Sequence, residues 1–302
     1  MSAWAPTRDI EIFAGTPPGG GLDRTAHLLL DALRADDLIP AAARVVNVPG
    51  DGARKVWASV DARAGDAHVL CISSPNLTTD YLTGAVHFTH GDYTPLAILY
   101  NEYLAFVARS GSRLADANDL LRVVRDGAPL SVALSTAAGN PNHIALAQVV
   151  RHAGGDVRAP VIRVFDSALD AVADAAAGNA DVAVVTAASA VPALTSGALT
   201  ALAVSAPVRL GGAYAATPAW RELGVPCTLG AWRGVHGPRG LDEAQRKYWE
   251  NTLSKATQGE AWRNALATQN LTAMFIAGKK LTDYLAQEQM LMTEMLKLLQ
   301  MA

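Results

Sequence analysis

The feature that most constrains this chain is the regular alternation of short apolar runs with stretches of helical periodicity. Ile10 to Ala14 (IEIFA) reads as a strand, and after a Gly/Pro-rich turn Ala26, Leu29, Leu30 and Leu33 recur at helical spacing. Arg24, His27, Asp31 and Arg34 fall on the other face of that helix. The strand RVVNV (44–48), a helix around Arg54 to Val60 and the strand AHVLCI (67–72) follow. Strand, helix and strand with no tight hairpin between them make a parallel sheet covered by helices, so the first hundred residues read as one α/β unit.

After Leu96 to Tyr100 and Tyr103 to Ala108 the rhythm restarts. Asp119 to Arg125 is a helix, Leu130 to Leu134 a strand, and Pro141 to His152 a helix with Asn140 as its cap and Gly154 at its exit. Pro160 to Phe165 is a strand, followed by a helix that Ser167 can cap and Gly178 can end. Asp181 to Val185 and Leu199 to Val204 add strands to this second α/β unit. The last third carries a short strand at Ala231 to Val235, a helix at Asp242 to Thr257 and a strand at Leu271 to Ile276. A final helix follows, with an expected core stripe of Leu281, Tyr284, Leu285, Leu291, Met295, Leu298 and Leu299.

At about 150 residues per domain, 302 residues suggest two domains. Half of them are hydrophobic and 18% charged, which excludes a disordered or collagen-like chain. With 25 Lys plus Arg against 28 Asp plus Glu, the net charge is −3 and no run of one sign forms, so nucleic acid is not an expected partner. Apolar stretches such as Asp181 to Ala188 fall far short of the ~20 residues that span a bilayer. The opening MSAWAPTRDIEIF has neither a basic nor an apolar leader region, so the chain is either cytosolic or has had a signal peptide removed. Cys71 and Cys227 are too few for a disulfide framework and read as buried thiols.

Four polar loops follow the carboxyl ends of strands, where open α/β sheets bind ligands. The first is Gly15 to Asp23, a glycine turn before a helix that lacks the Lys-Ser/Thr pair of a Walker loop and the last glycine of GxGxxG. It can bring backbone N–H groups to an anion, or it is a tight turn with Asp23 as a helix cap. The second, Ser135 to His143, places hydroxyls before a capped helix start. The others are Ser73 to Asn76 and Thr186 to Ser189. Polar, uncharged loops of this kind point to binding more than catalysis. No GxSxG elbow occurs, and His87 and His90 form a close pair without metal-site partners, so neither a catalytic nucleophile nor a metal or cofactor is implied.

In order along nearly the whole chain, these segments resemble the Bug family, the substrate-binding proteins of tripartite tricarboxylate transporters. Pro18-Gly19-Gly20-Gly21-Leu22-Asp23 matches its Pro-Gly-Gly-x-x-Asp opening, and Val45-Val46-Asn47-Val48-Pro49-Gly50 its Val-x-Asn-x-Pro-Gly segment. Ser135 to Ala145 matches the Ser-x-x-Gly-x-x-x-x-His-Leu/Ile-Ala segment with a shift at Gly139. Asp174 to Asp181, Thr200 to Ser205, Trp232-Arg233-Gly234 and Gly237-Pro238 match its later motifs.

The resemblance implies an α/β, bilobed periplasmic-binding-protein fold, two doubly wound domains joined by a two-crossing hinge. Domain 1 would be residues 1–102 plus 222–302, and domain 2 residues 103–221, with crossings near Asn101 to Tyr103 and Pro218 to Gly224. It implies a periplasmic, monomeric solute receptor, its signal peptide removed, that closes on a small organic carboxylate and delivers it to membrane permease subunits. Ser135, Thr136, Asn140 and His143 would hold a carboxylate, with Pro18, Gly19, Gly20 and Asp23 on the other lobe. Ser74, Asn76 and Thr186, at the remaining strand ends, complete the expected site. Where the family has Pro-Tyr-Lys-Gly-Ser, this chain has Val164-Phe165-Asp166-Ser167-Ala168. An acid in place of a lysine suggests that Asp166 selects a ligand bearing an amine or N–H group beside its carboxylate. The alternatives are a ligand sensor for a signalling partner, or an acid/base enzyme using His143 or Asp166.

Overall fold

The computed structural model describes residues 4–301 and divides into two compact units, residues 1–101 with 232–292 and residues 102–231 with 293–302.

In the first unit β1 (Ile10–Ala14) leads into α1 (Gly21–Ala35), β2 (Ala43–Asn47) into α2 (Lys55–Asp61), and β3 (Val69–Ser73) into α3 (Asn76–Leu82). β1 pairs in parallel with β2 and with β3. The sheet then turns antiparallel: β9 (Gly230–Gly237) pairs with β3 and lies beside β4 (Thr94–Arg109), and β10 (Thr272–Ala277) pairs with β4. Ile10 and Ile12 are fully buried, and the apolar face of α1 expected from its spacing, Ala26, Leu29, Leu30 and Leu33, is buried as well. α2, β3 and the segment to Tyr93 form a second cluster around Phe13, Trp57, Cys71 and Leu77. α8 (Glu243–Ala256), α9 (Glu260–Thr268) and α10 (Lys279–Leu298) as far as Met292 complete the unit, and the rest of α10 belongs to the second.

The second unit contains the rest of β4, then α4 (Ala117–Arg125), β5 (Ser131–Ser135), α5 (Pro141–His152), β6 (Val161–Phe165), α6 (Ala168–Ala176), β7 (Val182–Thr186), α7 (Ala187–Thr195) and β8 (Leu199–Val204). β5 lies between β6 and β7, parallel to both, and β4 is antiparallel to β7 and β8. Alternate residues feed two cores. Leu104, Phe106, Val132, Leu134 and Val184 pack on one side with Leu146, Val149 and Trp220, while Ala105, Val107, Ala133, Ala183 and Val185 pack on the other with Ala171, Ala175 and Tyr214. Burial on both faces explains why these strands read as continuous apolar runs without alternation.

Several expectations are corrected. The runs 96–100 and 103–108 are one 16-residue strand, β4, because Asn101 and Glu102 continue the extended backbone between them. The chain leaves the second unit at Ala231, later than residue 222, because Val225, Cys227 and Ala231 belong to that unit's core. In α10 the buried face is Leu281, Leu285, Glu288, Met292 and Leu296; Leu291 is 63% exposed, so the stripe runs through Glu288 instead.

Candidate functional site

In the first unit, β1, β2 and β3 are parallel neighbours, so the loops that leave them gather at one end of the sheet. Gly20, not Asp23, is the N-cap of α1, and its backbone makes the cap without a side-chain hydrogen bond. Asp23 is buried three positions into the helix and reaches back: one carboxylate oxygen accepts the Gly19 N–H at 2.8 Å, the other the Asn47 side-chain amide at 2.7 Å. Asn47 also donates to the Thr16 carbonyl at 3.0 Å, and the Asp23 N–H donates to Thr16 Oγ1 at 3.1 Å. Asp23 therefore fastens the Pro-Gly-Gly loop and keeps exposed Pro18 and Gly19 at its tip. Gly19 has φ +81°, and a Cβ on Gly20 would stand 2.6 Å from Thr16, so both glycines serve the loop's shape.

Ser74 is buried at the end of β3, and its hydroxyl accepts the Asn76 N–H at 3.4 Å. Ser73, Ser74 and Asn76 line a cavity of about 20 Å³ together with Leu22, Gly52, Ala53 and Asp80, which brings the β2 and β3 loops to the start of α1. Arg54 bridges Asp51 and Asp80, the latter at 3.3 Å. Burial nevertheless pushes the Asp80 carboxyl up to about 6.

In the second unit Ser135, Asp166 and Thr186 lie at or just beyond the carboxyl ends of three adjacent parallel strands, β5, β6 and β7. The expected cap is observed: Asn140 Oδ1 accepts the His143 N–H at 3.1 Å, with Pro141 at the first helical position. The Asn140 amide donates to the Ser135 carbonyl at 2.6 Å and to Thr136 Oγ1 at 3.0 Å. Thr136 has φ +69°, a strained left-handed conformation for a β-branched residue, held by its N–H donating to the Phe165 carbonyl at 2.7 Å. His143 is buried, which depresses it to about 4 and keeps the ring neutral. Its Nδ1 accepts the Gly139 N–H at 3.0 Å, so the proton sits on Nε2, leaving a donor on the ring's other edge.

Thr186 is buried at the start of α7 with its hydroxyl 2.8 Å from that of Ser189. Asp166 is exposed in the turn between β6 and α6 and does not cap α6; Ser167 does, accepting the Asp170 N–H at 3.1 Å. Residues missed from the sequence are the organisers. Asn142 donates to Ser135 Oγ at 3.3 Å and to the Val184 carbonyl at 2.8 Å, tying α5 to β5 and β7. Thr16 does the same for the first loop; an asparagine at the second helical position and a threonine in a glycine turn were the available signals. Cys71 and Cys227 are buried free thiols, one in each unit.

The three solved structures below share the fold. A TctC solute-binding protein from Polaromonas has 23% identity and a TM-score of 0.70 over 97% of this chain and 99% of its own. MatC from Rhodopseudomonas palustris with bound malate has 20% identity and a TM-score of 0.81 over 96% and 99%. An R. palustris protein with adipate has 18% identity and a TM-score of 0.85 over 97% of both chains. No curated protein matches the sequence significantly. The tripartite tricarboxylate transporter family receptor, TctC, matches residues 41–299, and the chain belongs to that family of solute-binding receptors.

Proposed function

We propose that this protein is a periplasmic receptor that captures a small organic carboxylate and hands it to the permease subunits of a tripartite tricarboxylate-type transporter. The observation that carries the carboxylate reading is the strand-end set of the second unit. Of three adjacent parallel strands two, β5 and β7, end in the hydroxyls of Ser135 and Thr186, and a neutral imidazole stands at the start of α5, where the helix dipole favours an anion. A carboxylate held by neutral donors is released without breaking an ion pair, which suits a carrier. Ser135, Thr136, Asn140, His143, Asp166 and Thr186 form this set, and Pro18, Gly19, Gly20, Ser74 and Asn76 are the corresponding groups of the first unit. Asp23 takes part by shaping the loop. Malate and adipate, bound in the two R. palustris structures, are the first probes, and Asp166 favours a carboxylate that also carries an amine or N–H group.

The test is calorimetry with malate and adipate on the parent and on His143→Phe. Loss of the Nε2–H donor should weaken a bound carboxylate roughly tenfold or more. Equal affinity in parent and variant would remove His143 from the site, and no binding of any small carboxylate would overturn the reading.

A further inference from the structure

Beneath the end of β3 a chain of buried polar groups serves no purpose in the proposed ligand site. Ser73 Oγ lies 2.7 Å from Nδ1 of His236 on β9, and His236 Nε2 lies 3.0 Å from Nδ1 of His90, in the short 3₁₀ turn His90–Asp92. All three residues are buried, and His90 Nε2 is buried with no hydrogen-bond partner among the described residues. The surroundings are aromatic: Trp232 at 5.4 Å from the His90 ring and Trp57 at 6.0 Å from that of His236, centroid to centroid.

The neighbouring titratable groups supply neither ring with a counter-charge: Asp80, which lines the small cavity with Ser73, pairs with Arg54. Cys71, in register with His236, stays a thiol because burial pushes it up. Tyr93 packs on Trp57 and is likewise raised by burial. Asp92 is exposed and turned to the Thr89 N–H, and Asp61 pairs with Arg239. Glu288 of α10 accepts the indole N–H of Trp232. Strand alternation puts Arg233 on the face of β9 opposite His236.

In the neutral chain one proton lies between the two rings. If His236 donates to His90, Ser73 donates to His236; if His90 donates to His236, His236 Nδ1–H donates to Ser73 and the serine hydrogen is free to turn toward the small cavity it lines with Ser74 and Asn76. A further proton makes an imidazolium with nothing to balance it.

We propose that Ser73, His236 and His90 form an acid-sensitive latch that holds the Ser74–Asn76 end of β3 ordered while its imidazoles are buried and neutral; acid favours its opening, because the open form takes up protons that the closed form excludes, and so favours ligand release where the surroundings turn acidic. The release half of the statement rests on the receptor reading; the latch itself does not. Burial depresses His90 to about 3 and His236 well below the ordinary histidine value. Groups lowered in the folded state favour folding above the unfolded value of about 6.5 and withdraw that contribution as pH falls below it.

Urea unfolding of the ligand-free protein at about pH 7.5 and about pH 5 should show the unfolding constant rising by about 30-fold for each buried neutral imidazole. His90→Phe should therefore show a dependence about 30-fold smaller than the parent; His143 contributes equally to both. Hydrogen exchange, corrected for its intrinsic pH dependence, should show residues 74–77 losing protection at low pH in the parent and not in the variant. Identical pH dependence in the two proteins would overturn the latch. Should His90→Phe not fold, ¹³C-detected histidine titration of the parent decides. Two imidazoles silent from about pH 8 to 5 in addition to His143 support the proposal, and only His143 remaining silent overturns it. With malate and adipate, parent and variant affinities are compared at each pH so that the ligand's own titration cancels. A parent that loses at least about tenfold more affinity than the variant on acidification supports the release step, and an equal loss removes it. If neither diacid binds at neutral pH the comparison is made with an amino acid or betaine that does; if no small carboxylate binds the receptor reading fails, and the latch still stands or falls on the ligand-free measurements.

Discussion

Asn47 Nδ2 stands 2.7 Å from Asp23 Oδ1, so the last residue of β2 clamps the loop that follows β1. The clamp has a direct consequence. Asp23→Ala would leave the Gly19 N–H and the Asn47 amide without their acceptor and should cost about 1.5 to 3 kcal/mol, the worth of hydrogen bonds to a charged group. Urea denaturation measures the loss, and protease cleavage appearing first within residues 15–21 locates it. Asp23→Asn, which keeps one acceptor oxygen, should lose less.

Thr136 separates strain from donation. Thr136→Val keeps the φ of +69° and loses the hydroxyl, whereas Thr136→Gly relaxes the backbone as well. The glycine variant should be the more stable of the two by about 1 to 3 kcal/mol. Both should bind a carboxylate roughly tenfold or more weakly if the hydroxyl serves the ligand. Parent-like affinity in both would confine Thr136 to the hydrogen bonds it already makes with Ser135 and Asn140.

Glu288 should make the protein less stable as pH rises. Burial raises its carboxyl to about 7. A group raised on folding contributes fully below its unfolded value of about 4.3 and loses that contribution as pH climbs toward the folded value. Glu288→Gln removes the ionisation and should exceed the parent by about 2 kcal/mol or more near pH 8, with little advantage near pH 4. Parallel stability curves for the two proteins would contradict this.

Asp166 is exposed, and its charge tests ligand choice. In a thermal-shift screen, amino acids, betaines and N-heterocyclic carboxylates should stabilise the protein more than succinate or citrate, and Asp166→Asn should narrow the difference. At about 100 times its dissociation constant a ligand adds about 2.7 kcal/mol, a readily measured shift. Strong stabilisation by simple diacids, unchanged in the variant, would show that Asp166 plays no part in selection.

The two thiols should be inert in the native protein. Burial pushes Cys227 up to about 12 and Cys71 higher still, so neither supplies thiolate near neutrality. A thiol reagent should titrate none without denaturant and both with it. Rapid labelling of either in native buffer would mean that the core around it opens.

The α/β rhythm and the strands of both parallel sheets follow from local periodicity, and so does α5 with its Asn140 cap. Each is set by residues within a few positions of one another, where capping and side-chain spacing act. Three helices escaped the pattern: α3 and α7 start directly behind strands without a strong cap, and α9 is short and polar on one face. The candidate loops were visible as strand ends, but their internal order was not. That Asp23 turns back to Gly19 and to Asn47, 24 residues further along the chain, instead of capping α1 depends on β2 lying beside β1. The link between Ser73 and His236 spans 163 residues and exists only because β3 and β9 pair. Glu288 is buried because Trp232 faces it across the packing of α10 on the sheet, while helical spacing alone pointed to Leu291. Short-range geometry is written in residue order; hydrogen bonds between distant strands, and the shifted titrations that burial imposes, arise only when tertiary packing excludes water from groups the sequence keeps far apart.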